Sequence, residues 1–344
     1  MQLSSRGRIA ALVAAALVVA VALFAIGQRQ SGRAEAAGAP THIMTYILWG
    51  ASENHKGLPG VNVSEAARWV SWTIARPDDT HALSSAGIHT MYYTDPNRVA
   101  PNEPLYADDD TMFAHDCSNN RISIQKPGSQ KLLTDPNSST LQQRWRSYVQ
   151  GLMSRGHYDA IYDDTAATLG QLSALPCHFD QSQWIASHAN LVRSLGVPVI
   201  YNGLGDGDLP RHGKGRGATY DLSYGIGISE APNALGGSFE DCYTTASAQL
   251  GEDGKTFGSY WQQTENTELA MASRGKIFMC ENMAPKDATM EGSIDQRMYA
   301  ISSILLTVDP ATTMIHQLFH TPSHIDVGPE VGLVPTEPAS AAHD

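Results

Sequence analysis

Residues 158–164 read Tyr158-Asp159-Ala160-Ile161-Tyr162-Asp163-Asp164, a short apolar run that ends in two carboxylates. The apolar side chains at 158, 160, 161 and 162 predict a buried strand. A helical pattern over 141–155 leads into it. A strand that follows a helix and ends in acid is how a (β/α) barrel brings a carboxylate to its active face. Two later apolar runs end the same way: Gly237-Ser238-Phe239-Glu240-Asp241 and Ile277-Phe278-Met279-Cys280-Glu281. A single strand-end acid is often a solvated residue or a helix cap. Three of them point to general acid/base chemistry on a neutral, polyhydroxylated substrate.

Strand and helix patterns alternate on both sides of this run. Strands are predicted over 42–49, 88–93, 197–201, 277–280 and 312–315, with a further one around Phe239. Helices are predicted over 66–74, 80–86, 182–195, 264–274 and 294–308, several closing at Gly before the next apolar run. Such alternation implies a parallel sheet with helices outside it. The fold class is therefore α/β, a (β/α)8 TIM-type barrel with room for irregularity; an open doubly wound sheet is the alternative. Seven strands are visible where a closed barrel needs eight. The eighth is sought near 220–228. Residues 97–137 show little periodicity and read as a long functional loop.

With 344 residues and 42% hydrophobic content, the chain can bury a large core. Its formal net charge of −12 disfavours nucleic acid as a partner. Arg6 and Arg8 precede an uninterrupted apolar run over 9–26, and Ala34-Glu35-Ala36 resembles a signal-peptidase site. Residues 1–37 are thus read as a signal peptide or membrane anchor plus linker, 38–325 as the barrel and 326–344 as a tail. The protein is expected to be secreted or held on the outer face of the cytoplasmic membrane. Four cysteines fit an oxidising compartment. Cys242 and Cys280 lie at the ends of strands that can be neighbours, so they are paired, and Cys117 with Cys177.

Several motifs carry less. The Gly-rich segment 203–217 lacks phosphate-loop spacing. His316-Gln317-Leu318-Phe319-His320 has Gln where a zinc protease needs its Glu base, and Pro322 separates it from His324. No cofactor is implied. Trp49 ends a strand beside Gly50 and is the most site-like aromatic, because sugar rings stack on such faces.

The run 158–164 resembles the strand written F-D-G-[VI]-[FY]-x-D in glycoside hydrolase-like TIM-barrel families related to endo-α-1,4-polygalactosaminidase. Tyr93-Thr94-Asp95-Pro96, Asp135-Pro136, Ile200-Tyr201-Asn202-Gly203 and Phe239-Glu240 resemble neighbouring features of those barrels, over about residues 42–320. The resemblance implies catalysis by an acid at the end of this strand and a Glu at the end of a later one, Asp164 and Glu240. Strand parity agrees, since Ala160, Tyr162 and Asp164 share one face and Asp163 the other. Ala160 stands for the family's Gly, and Asp163 and Asp241 are extra acids, so the pair is open to Asp163 and to Glu281 as third candidate. Tyr92, Asp95, Arg121, Asn202, Asp241 and Trp49 are candidate substrate contacts.

The expected activity is hydrolysis of glycosidic bonds in a polysaccharide. Two alternatives remain at this level. One is a non-catalytic, envelope-anchored glycan-binding protein, with the run 9–26 as anchor. The other is a metal-dependent hydrolase using His316 and His320.

Overall fold

The structure, a computed structural model, describes residues 44–48, 63–67, 70–126, 129–167, 172, 174–205, 223–240, 242–243, 256–283 and 299–318. The expected leader with its apolar run 9–26, Trp49, Asp241, His320 and the tail 326–344 lie outside the described residues. Among the described residues no helix is long and apolar enough to cross a membrane.

Eleven strands are described: β1 Met44–Leu48, β2 Trp72–Ile74, β3 His89–Thr94, β4 Arg98–Val99, β5 Ser123–Lys126, β6 Ser129–Leu133, β7 Ala160–Asp163, β8 Val199–Asn202, β9 Ala234–Glu240, β10 Ile277–Met283 and β11 Thr313–Leu318. Eight of them form a curled sheet of TIM type, in the order β1-β11-β10-β9-β8-β7-β3-β2, and β1 pairs with β2. Every pairing in it is parallel.

The missing strand is β2, inside the region expected to be a helix over 66–74. Among the described residues the helix is Val63–Ala66, which meets the expected range only at Ala66. Trp72, Thr73 and Ile74 are all buried, and consecutive aromatic and β-branched residues suit a pleated surface better than a helix. Residues 220–228 do not supply the strand: Ser223–Ile226 is a short helix followed by a 3-10 turn, Gly227–Glu230. The expected loop 97–137 is also more ordered than its sequence suggests. It holds a three-stranded antiparallel sheet, β4-β6-β5, inserted after β3. Cys117 in this insertion is bonded to Cys177 in the segment after β7, and Cys242 is bonded to Cys280, as expected for both pairs.

The helices start and stop where the sequence punctuates them. Asp180 and Gln183 cap helix Gln181–Leu195 reciprocally, and Gly196 ends it at φ 73°. Ser138 caps helix Ser139–Met153 through the Leu141 amide.

Two apolar layers follow from strand alternation. Trp72, Ile74, Met91, Ala160, Tyr162, Ile200, Met279 and Met314 fill the barrel. Ile161, Val199, Tyr201, Phe239, Phe278 and Ile315 face the other way, in one cluster with Trp145, Trp184 and Leu191 of the helices.

Candidate active site

Asp164 immediately follows β7 and continues the barrel-facing series Ala160 and Tyr162. Donors occupy both of its oxygens. Oδ1 accepts from Asn202 Nδ2 at 2.9 Å and from the Thr165 amide at 2.9 Å. Oδ2 accepts from the Tyr93 hydroxyl and lies 3.7 Å from Arg98 Nη2. The chain turns sharply here: Thr165 and Ala167 have φ values of 54° and 66°. That region is costly for a β-branched residue, on the order of 1–3 kcal/mol, and such strain clusters at functional sites.

Asn202, the last residue of β8, joins this carboxylate to a second one. Its Nδ2 also donates to Glu240 Oε1 at 2.6 Å. Strict alternation along β9 would put Glu240 on the outer face of Ala234, six residues earlier. Instead the register slips: Val199 opposes Ala234 but Ile200 opposes Gly236, leaving Leu235 unpaired. This bulge reverses the parity of all that follows and brings Glu240 to the side of Asn202. Gly236 makes it possible, because a Cβ there would lie 2.1 Å from the Ile277 carbonyl oxygen.

Glu281 on β10 is opposite Glu240 in register and is buried. It accepts from the Tyr162 hydroxyl at 3.2 Å. Burial, and then the charges of Glu240 and Asp164, hold its carboxyl well above the usual carboxylate range. Asp163 is buried on the opposite face of β7 from Asp164, where Asn97 Nδ2 donates to it at 2.9 Å. Burial pushes it well up too. Asp163 is therefore separated from the Asp164–Asn202–Glu240 group, as adjacent strand residues must be.

The candidate substrate contacts divide. Asn202 is central. Asp95 is enclosed: Oδ2 accepts from Arg98 Nε at 2.8 Å and Lys131 Nζ at 3.2 Å, and Oδ1 accepts from Thr165 Oγ1 at 3.2 Å. Burial raises its carboxyl despite both cations. Asp95 thus reaches the site through Arg98 and Thr165. Tyr92 belongs to the outer layer, its ring packed against Tyr148 and Tyr158, because Met91 and Tyr93 take the barrel-facing positions. Arg121 belongs to the insertion, bonded to Asp110 Oδ1 at 2.7 Å and lying 4.4 Å above the Phe113 ring.

Arg98 and Lys131 were not singled out by sequence, and Tyr93 and Tyr162 were read only as parts of strand motifs and not as site residues. Tyr162 was recoverable, since it shares the parity of Asp164. Tyr92-Tyr93 offers no alternation to choose by, and Arg98 and Lys131 arrive on strands of the inserted sheet. His316 lies on β11 opposite Glu281 in register. Among the described residues no group of three metal-ligating side chains occurs.

No protein-family profile and no curated protein matches the sequence. Solved structures do match. The glycoside hydrolase domain of PelA from Pseudomonas aeruginosa is 13% identical over 81% of this chain and 95% of its own, with a TM-score of 0.46. Aspergillus fumigatus Ega3, solved with galactosamine, is 12% identical over 81% of this chain and 93% of its own, at 0.45. The Flavobacterium johnsoniae GH31 dextranase, complexed with glucose, reaches 0.54 at 10% identity; the match covers 85% of this chain and 38% of the dextranase. At such identities the likeness is one of fold, and in fold this chain is similar to a part of the dextranase.

Proposed function

We propose that this protein is an exported glycoside hydrolase that cleaves a polysaccharide, with Asp164 as nucleophile and Glu240 as acid/base. The observation that carries the reading is the single amide nitrogen of Asn202, bonded to a carboxylate oxygen of each. Those two oxygens can be no farther apart than the two bonds laid end to end, about 5.5 Å, which favours the short retaining separation of about 5–5.5 Å over a longer one. Inverting enzymes need about 6.5–9.5 Å, to fit a water between carboxylate and sugar.

The donor sets support the division of roles. Asp164 accepts at both oxygens and faces the Arg98 guanidinium, which suits an anion poised to attack. In the first step Asp164 bonds to the anomeric carbon as the glycosidic bond breaks, and Glu240 gives its proton to the departing oxygen. In the second, Glu240 takes a proton from water as the oxygen of that water displaces Asp164. The sugar leaves with its original anomeric configuration, and both carboxyls return to their starting states. Burial, followed by the neighbouring Glu240 and Asp164, raises the Glu281 carboxyl well above the usual carboxylate range, which disfavours further negative charge beside Asp164.

The fold supports this reading by analogy, a dextranase with the same fold having been solved with glucose. The two disulfides are compatible with an extracytoplasmic location, which fits the leader-like residues 1–37. The test is reducing-end release from bacterial exopolysaccharides, galactosaminoglycans and plant glycans. Release by the wild type, lost in folded Asp164→Asn and Glu240→Gln, is the expected result. Activity persisting in both variants overturns the assignment. Glycan binding without turnover, surviving both substitutions, favours the binding-protein reading instead.

A further inference from the structure

Glu268 sits on helix Thr256–Ser273, fully buried and away from the carboxylates described above. Its donors are three hydroxyls from three different segments. Tyr243 Oη reaches Oε2 at 2.7 Å, Thr307 Oγ1 reaches Oε2 at 2.9 Å, and Thr313 Oγ1 at the start of β11 reaches Oε1 at 2.9 Å. A buried carboxyl is costly unless it is satisfied, so this hub holds its partners firmly.

Tyr243 is the partner that matters for the site. It lies three residues after Glu240 and directly after Cys242, which is bonded to Cys280, the neighbour of Glu281. Cys242 and Tyr243 are both fully buried, and Tyr243 has a φ of 58°, a conformation that a non-glycine residue keeps only when its surroundings impose it. The chain leaving β9 is therefore anchored twice, by the disulfide to β10 and by the Tyr243 hydroxyl to Glu268.

We propose that Glu268 is a positioning residue for the Glu240 carboxyl, acting through Tyr243 and the Cys242–Cys280 clamp. The role rests on the glycosidase reading of Glu240. Glu240 must stay within reach of both Asn202 and the glycosidic oxygen, and a misplacement of about 1 Å can cost about 100-fold in rate.

The test compares two variants that each remove one hydroxyl from the same Glu268 oxygen. Tyr243→Phe frees the segment that carries Glu240. Thr307→Val frees a segment that carries no candidate site residue. Both are expected to lower Tm to a similar degree. Only Tyr243→Phe is expected to lower kcat, by about 10- to 100-fold with KM unchanged. Glu268→Gln, which still accepts from Tyr243, is expected to keep kcat within about twofold, less than about 0.5 kcal/mol in barrier.

A second readout needs no turnover. In protein labelled with carboxyl-13C glutamate, the Glu240 resonance (assigned by its loss in Glu240→Gln) should move in Tyr243→Phe and stay in Thr307→Val. Equal kcat losses in the two variants, or an unmoved Glu240 resonance in Tyr243→Phe, overturn the proposal. A wild type that releases no sugar overturns the glycosidase reading alone, and the resonance then decides the positioning claim.

Discussion

Asn202 spends one amide group on two acids, and its value to the protein lies in where it holds them. Asn202→Ala removes the donor from both oxygens at once and is expected to lower kcat/KM by about 100- to 1,000-fold, the range for losing one preorganised donor. Steady-state kinetics on the cleaved glycan checks this, alongside a Tm measurement to exclude unfolding. Arg98 carries a structural burden as well. It is buried between Asp95 and Asp164, so Arg98→Leu leaves Asp95 with Lys131 as its remaining cation. Breaking such a buried pair costs about 3–5 kcal/mol, and urea denaturation should register a loss of that order. Glu268 makes a prediction about pH. Burial pushes its carboxyl up to about 7, with Glu265 the neighbouring charge and the hydroxyls of Tyr243, Thr307 and Thr313 opposing the shift. A raised carboxyl favours the protonated fold, so its contribution is complete below the unfolded value and is lost as pH rises through 7. The loss amounts to about 3 kcal/mol, and Glu268→Gln should flatten the fall in stability between pH 5 and pH 8.

Strand β9 shows what one extra residue does. The unpaired Leu235 reverses the facing of the strand, and Gly236 lets β10 approach where any side chain would strike the Ile277 carbonyl. Gly236→Val is therefore expected to lower Tm by about 10 °C or more, if it folds at all, and to abolish activity by displacing Glu240. The same strand marks the limit of what sequence could tell. Glu240 and Asp164 were visible because apolar runs ending in acid have a signature. The bulge that aligns them was not, because Ala234-Leu235-Gly236-Gly237 offers no alternation to break. Strand β2 was missed for a related reason: three residues are too short a pattern beside the helical spacing before them. The insertion after β3 was hidden because its strands are polar and edge-like, so its cations, buried Arg98 and half-buried Lys131, could not be assigned to Asp95.

At the scale of the whole molecule, several buried carboxyls tilt stability the same way. Asp95, Asp163, Glu268 and Glu281 are all raised, with burial the leading cause at each. Each contributes most when protonated, so these four groups weaken the fold as pH rises through their folded values, while the lowered carboxyls of Asp109, Asp110, Asp116 and Asp159 act with the opposite sign. The disulfides oppose unfolding from another direction. They close loops of 60 and 38 residues, each worth about 4 kcal/mol by chain entropy, and reduction should lower Tm sharply. The disulfides are compatible with a location outside the cytoplasm, where thiols stay oxidised. The central claim is that Asp164 and Glu240 act across the short gap bridged by Asn202. Proton NMR of the first-formed product, recorded before mutarotation on a glycan that the wild type cleaves, tests it most directly. The account predicts a product with the anomeric configuration of the bond cleaved, absent in Asp164→Asn; an inverted product, or one still formed by that variant, would contradict it.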